Sequence, residues 1–417
     1  MSEAPAGWTR ATLGEVATVG SGGTPDRTQP RFWGGPIPWV TTGEIQFNTI
    51  TETGESITPE GLENSAARVF AAGTLLMAMY GQGRTRGQVA RLGIAAATNQ
   101  ACAAIQPHAS CHAEYLYQYL ASQYQRIREL GNAGTQQNLN AGLIRGIALP
   151  LPPLREQARI AQMALDWDAA IATTERLLAN SRRQKQDLML VLLGGRRHLP
   201  GARGPWSHVE FDAVFERITR KNTRDDRNVL TISAQHGLVS QLDYFSKSVA
   251  SEDLRSYTHL STGDFAYNKS SSSGYPVGAI KPLLAYDSGV VSSLYICFRS
   301  RPGVEVDTDF YRLYFEAGML NDAITGIAQE GARSHGLLNI SVRDFFKLPL
   351  HLPPLDVQRH VAAILRVAEA EERTIVAQRD ALLTEKRALM RELFAGRRRV
   401  RPPAPGKALP ADAVSNA

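Results

Sequence analysis

The 417-residue chain has little cysteine and none of the long apolar runs that mark membrane proteins. Its three cysteines, Cys102, Cys111 and Cys297, cannot all pair within one chain. That excludes a disulfide-stapled framework and fits a reducing, cytoplasmic setting. No apolar stretch approaches the ~20 residues needed to cross a bilayer, so no membrane partner is expected. The N-terminus, MSEAPAGWTR, has no basic-then-apolar leader. Neither sign of charge dominates: 46 Lys+Arg against 40 Asp+Glu leaves +6. This permits a polyanionic partner without requiring one.

Catalytic signatures are also missing. There is no Gly-x-x-x-x-Gly-Lys-Ser/Thr, hence no P-loop. Gly20-Ser-Gly-Gly23 runs into Thr-Pro-Asp and not into a helix, which argues against a dinucleotide or S-adenosylmethionine site. The Asn/Asp-Pro-Pro-aromatic quartet of amino-methyltransferases is absent, and so is a carboxylate–lysine nuclease set. Cys102, His108, Cys111 and His112 match no standard zinc spacing, so no metal site is expected. The chain reads as a recogniser and not an enzyme.

What the sequence does contain is a repeat. Leu151-Pro152-Pro153-Leu154 recurs 201 residues later as Leu352-Pro353-Pro354-Leu355. The same offset aligns Gln157 with Gln358, Lys185 with Lys386, Leu188-Met189 with Leu389-Met390, and Gly195-Arg196-Arg197 with Gly396-Arg397-Arg398. Looser matches precede these: Gly7-Trp8 with Pro205-Trp206, and Leu139-Asn140 with Leu338-Asn339. A period of about 200 residues is too long for a solenoid, so the chain is a duplicated, pseudo-twofold pair.

After each Leu-Pro-Pro-Leu, proline vanishes for some 45 residues, the punctuation of a long helix. Ile160, Ala164, Trp167, Ile171, Thr174, Leu178, Ser181, Lys185, Leu188 and Leu192 follow heptad spacing. The second copy places Val361, Leu365, Ala368, Ile375, Leu382, Leu389 and Leu393 on the same seam, interrupted by Glu372, Arg379 and Lys386. About 40 residues at 1.5 Å rise make a rod of roughly 60 Å. Two such stripes in one chain bury each other best as an antiparallel pair. Gly-Arg-Arg at each end is a C-cap pattern.

The segments before each helix are mixed: short strands such as Thr74–Met77, residues 101–105, Val229–Ile232 and Val290–Phe298, and helices near 113–130 and 309–327. The class is α+β: two α/β domains separated by two long antiparallel, coiled-coil-like helices. Boundaries fall at 1–150, 151–203, 204–350 and 351–400, with a Pro/Ala-rich tail at 401–417.

Polar loops carry the chemistry. Gly81-Gln82-Gly83-Arg84-Thr85-Arg86-Gly87 sets two arginines and a glutamine among three glycines, and guanidinium and carboxamide groups can read guanine and adenine. The second domain offers Lys221 and then Lys269, Ser271 and Tyr275 in a serine-rich loop after the matching strand. The candidate DNA-contacting residues are therefore Gln82, Arg84, Arg86, Lys221, Lys269, Ser271 and Tyr275, the lysines being phosphate contacts.

This ordered set of motifs resembles the specificity (S) subunit of type I restriction–modification systems. The carriers are Ser21-Gly-Gly-Thr-Pro25 with Pro38-Trp39-Val40, the Gly81–Gly87 loop followed by Thr98-Asn99-Gln100, and the two Leu-Pro-Pro-Leu helix heads ending in Gln157 and Gln358. The resemblance implies two target-recognition domains, each reading half of a bipartite site in double-stranded DNA, with the helices setting the spacer. It implies two methyltransferase (M) subunits docked on the helices, and restriction (R) subunits as further partners. S-adenosylmethionine and ATP/Mg would then belong to those partners, with no cofactor in this chain. The competing expectation is a structural scaffold joining two protein-binding domains through a helical rod.

Overall fold

The computed structural model describes residues 5–81, 83–131, 138–195, 204–233, 237–244, 253–272, 274–328 and 338–400. The candidate Gln82 and the 401–417 tail lie outside them. The chain divides into two units: Met1–Thr174 with Gln378–Ala417, and Glu175–Ala377. Each unit thus takes one mixed domain and half of each of two 40-residue helices, Leu154–Leu193 and Leu355–Phe394.

In the first unit, a five-stranded sheet runs in the order Ala17–Ser21, Cys102–Pro107, Leu75–Ala78, Val89–Leu92, Thr49–Ile50. The first four are antiparallel neighbours; the last adds in parallel. The second unit repeats the antiparallel four as Phe215–Arg217, Ile296–Ser300, Phe265–Asn268, Ala279–Pro282. Each unit also closes its domain with a two-stranded ladder, Thr9–Thr12 on Ala148–Leu151 and Ser207–Glu210 on Pro349–Leu352. These ladders bring the start of each domain to the strand that feeds its long helix.

The sheets bury their inner faces on helices. Leu75, Met77, Val89, Ala103 and Ile105 pack with Tyr115, Leu116 and Tyr119 in the first unit. The second unit is more aromatic: Phe211, Phe215, Phe265, Phe298, Phe310, Tyr311 and Phe345 are all at most 2% exposed. Phe265 and Phe298 stack across adjacent strands, centroids 5.3 Å apart, a pair worth about 0.5–1.5 kcal/mol beyond its burial.

The heptad seams are visible within each unit. Ile160, Ala161 and Ala164 share a core with Met390, Leu393 and Phe394, and further along Asp168 pairs with Lys386 at 2.6 Å. Residue number rises on one helix as it falls on the other, so the pair is antiparallel. The second unit behaves likewise: Leu192 and Leu193 lie with Val357, Val361 and Leu365, and Lys185 pairs with Glu372. Lys185, Glu372 and Lys386 thus have ion-pair partners on the facing helix, while Arg379 pairs with its neighbour Asp380. Lys185 and Arg182 both reach Glu372. Thr174 and Ser181 are small enough to be buried in the seam, Thr174 returning its hydroxyl to the Ala170 carbonyl at 2.9 Å. Both helices stop at a glycine in the left-handed region, Gly195 (φ +65°) and Gly396 (φ +66°), as the repeated Gly-Arg-Arg suggested.

Three expectations need correction. The helix over 113–130 is two, Ala113–Ser122 and Tyr124–Leu130, broken at Gln123. That over 309–327 is Thr308–Glu316 and Asn321–Ile327, with Gly318 at φ +71° between them. The run from Val290 to Phe298 is two strands, Ser288–Val291 and Ile296–Ser300, separated by a turn.

Candidate nucleic-acid interface

Two buried glutamines fasten each domain to its long helix. Gln157 and Gln358 are both fully buried. The Oε1 of Gln157 accepts the His112 backbone N–H at 2.8 Å, and its Nε2 donates to the Pro152 and Ser110 carbonyls at 2.8 and 3.2 Å. Gln358 repeats this with the Asp307 N–H and the Pro353 carbonyl, both at 2.8 Å. His112 and Asp307 are the N-caps of Ala113–Ser122 and Thr308–Glu316. The repeated glutamine therefore ties the helix head to the first helix packed on each sheet.

Carboxylates at the same offset make the second fastening. Asp168 accepts from Gln118 at 2.9 Å and from Lys386. Its counterpart Glu369 takes a bidentate fork from Arg312 at 2.9 and 2.8 Å. Asp309, which also meets Arg312 and Arg366, is pushed up by burial but held net below the usual carboxylate range by those two guanidiniums.

On this frame stand two hairpins. Leu75–Ala78 and Val89–Leu92 are joined by residues 79–88, and Phe265–Asn268 and Ala279–Pro282 by residues 269–278. These are the two polar loops picked out above, and they occupy the same place in the two sheets. The serine-rich loop looks unlike the glycine–arginine loop, but each carries two glycines, four residues apart, in the left-handed region. Gly83 and Gly87 have φ +82° and +84°; Gly274 and Gly278 have φ +82° and +85°. Only glycine adopts this region at little cost. The base of each loop is held alike: the Leu139 amide donates to the Met79 carbonyl, and the Leu338 amide to the Lys269 carbonyl, each at 3.0 Å. The Leu-Asn match thus marks a loop anchor.

The loop candidates are not equivalent. Arg84 is exposed, and its carbonyl accepts from the Tyr124 hydroxyl. Arg86 is only 8% exposed and lies beside Gly131. Arg128 donates to the Gly83 carbonyl, and Tyr124 meets Phe47 edge-on at 5.2 Å. Tyr124 and Arg128, from the helix after the break, and the exposed Phe47 and Tyr80 were missed by sequence reasoning. In the second unit Ser271 is exposed, and Lys269 is partly covered. Lys221 is exposed elsewhere in the unit, with its Nζ donating to the Ser256 carbonyl at 2.9 Å. Tyr275 donates to Glu316 Oε1 at 2.6 Å and accepts from Lys281 at 3.0 Å. Burial and that carboxylate push its phenol up, so it stays protonated.

Gly22 and Gly23 have a packing role. A side chain on Gly22 would strike Thr98, and one on Gly23 would strike Ala66. The Gly23 amide already donates to the Thr98 carbonyl at 2.9 Å. Arg27 forks onto Glu55 and lies over Trp33 at 4.4 Å. Cys102 and Cys111 are buried, which pushes their thiols up to about 12 and about 11. His108 meets the Thr18 hydroxyl at 3.1 Å. Among the described residues no three His, Cys, Asp or Glu side chains are grouped to hold a metal, and no helix is long and apolar enough to cross a membrane.

The fold and the paired hairpins define the class: a duplicated α+β protein that presents two topologically equivalent loops on a pair of long helices. Residues 5–180 match the family model of the type I restriction modification DNA specificity domain. The chain is 26% identical over 200 residues to the type I restriction enzyme MjaIX specificity subunit of Methanocaldococcus jannaschii, covering 45% of this chain and 43% of that protein. It is 24% identical over 161 residues to the EcoR124I/EcoR124II specificity subunit of Escherichia coli, covering 38% and 40%. The matches thus span less than half of those relatives. A solved chain from a study of complex assembly and conformational transition in the type I R-M system shares the fold over 94% of this chain and 99% of its own, with TM-score 0.60 and 17% identity. Residues 5–180 thus match a type I restriction modification DNA specificity domain, and the chain as a whole shares its fold with a chain of a type I R-M system.

Proposed function

We propose that the chain is the DNA-reading subunit of a type I restriction–modification complex. Each domain reads one half of a bipartite duplex site, and the long helices dock two methyltransferase subunits, with restriction subunits joining in a cleaving assembly. The recognition domains are residues 1–150 and 204–350, the helical spacers 151–203 and 351–400. Catalysis, S-adenosylmethionine and ATP/Mg belong to the partners, and the complex works in the cytoplasm. Gln82, Arg84 and Arg86 serve one half-site; Lys221, Lys269, Ser271 and Tyr275 serve the other.

The observation that carries this reading is the pair of equivalent hairpin loops, set by four glycines at the same left-handed φ while their side chains differ. One scaffold with two different reading surfaces suits an asymmetric, two-part sequence. Equilibrium binding to duplex DNA over a salt series tests it. Phosphate contacts make log affinity fall linearly with log salt. A scaffold for two protein partners would show no such dependence.

A further inference from the structure

The strand that follows the second loop carries a buried lysine that the sequence did not single out. Lys281 lies on Ala279–Pro282, the strand that closes the hairpin, and is 7% exposed. A charge so buried persists only with a partner, and Lys281 pairs with Glu316, the last residue of Thr308–Glu316. Between them sits Tyr275, the first residue after the left-handed Gly274. Its hydroxyl donates to Glu316 at 2.6 Å and accepts from Lys281 at 3.0 Å, while the Lys281 ammonium also lies 4.9 Å from its ring centre. Strand, helix and loop therefore converge on one phenol. The loop's turn is closed above it by two backbone hydrogen bonds between Ser272 and Tyr275, at 3.1 and 2.9 Å. Ser271, Ser272 and Gly274 remain exposed.

We propose that Glu316 and Lys281 are positioning residues for half-site specificity: they clamp Tyr275 as an inward prop, so that Ser271, Ser272 and the turn backbone face the DNA. This rests on the recognition reading above. A phenol whose one proton goes to Glu316 has no donor left for a base edge, whereas exposed serine hydroxyls can donate to or accept from any base. The first loop is held by different chemistry, Tyr124 and Arg128 donating to the Arg84 and Gly83 carbonyls.

The test is selection of the full-length chain, in complex with its methyltransferase partner, on a pool of duplexes with randomised bases. Wild type, Tyr275→Phe, Glu316→Gln, the double variant and Arg84→Ala are compared. The clamp predicts that Tyr275→Phe and Glu316→Gln relax the same base positions roughly ten-fold, within the usual range of a single mismatched pair. The double variant goes no further than either single one. The half-site altered by Arg84→Ala stays sharp in all three, which shows that the chain is folded. Unchanged selection by Glu316→Gln, effects at different positions, or additive effects overturn the clamp while leaving the recognition reading intact. Tyr275→Phe, which removes one hydroxyl, decides the matter if Glu316→Gln fails to fold. A wild-type complex that enriches no duplex overturns the recognition reading itself.

Discussion

Replacing Gln157 by methionine keeps the volume and removes every hydrogen bond the side chain makes. The His112 N–H and the Pro152 carbonyl lose their partner in a site where Gln157 itself is fully buried. The Ser110 carbonyl, bonded at 3.2 Å, is nearer the surface and can recover water. A buried polar group left unpaired costs about 1–3 kcal/mol. His112 is an exposed residue whose N–H can also regain water, so the Pro152 carbonyl is the one buried loss, about 1–3 kcal/mol. For a unit of about 200 residues each kcal/mol moves Tm by roughly 2–4 °C, so Gln157→Met lowers the transition of the first unit by roughly 2–12 °C. Gln162→Met on the same helix is the control: it loses one exposed bond to Asp166 and changes stability by less than about 0.5 kcal/mol. Thermal unfolding followed by circular dichroism and calorimetry reads both. Equal Tm values for the two variants would refute the fastening role of Gln157, and with it that of Gln358.

Other outcomes follow from the same geometry. Arg84→Ala weakens binding to one half-site by roughly 1–3 kcal/mol and leaves the other unchanged, measured by competition with half-site variants. Gly274→Ala meets no atom within 4 Å and pays only for its φ of +82°, about 1–2 kcal/mol. Gly278→Ala costs more, because its Cβ would lie 2.2 Å from the Asn268 carbonyl; urea midpoints rank the pair. Burial pushes the Glu372 carboxyl up, but Lys185 and Arg182 hold it net below its ordinary value. A depressed carboxylate stabilises the fold above the unfolded pKa, near 4.5, and the stability is lost as pH falls through the folded value. Between pH 6 and 3.5, Glu372→Gln should therefore lose less stability than wild type in urea titrations.

Much of the architecture was legible because duplication and period are properties of the chain itself. The 201-residue offset and the heptad seams identified both long helices, and the glycines of Gly-Arg-Arg their ends. The polar interruptions were visible, but not their pairing. That Lys185 meets Glu372 depends on antiparallel register, which one stripe alone does not specify. Gln157 and Gln358 stood out only as matched letters, since their partners lie some 50 residues upstream. The helix break at Gln123 carries no proline or glycine, whereas Gly318 was a readable signal for the other break. At the site, both loops could be found from composition, but exposure could not. Arg84 and Arg86 are two residues apart and face opposite environments, because the hairpin turns between Gly83 and Gly87. The agreement of the two loops lies in backbone torsions, which side-chain letters hid behind a serine run.

Under the proposed function, this chain directs a methyltransferase to a site made of two different half-sites. Mapping methylated adenines across the genome, with and without this chain, tests it directly. Deleting the chain should abolish methylation at one bipartite motif, two short specified elements separated by a fixed unspecified gap. Loss of no motif, or loss of a single uninterrupted one, would contradict it.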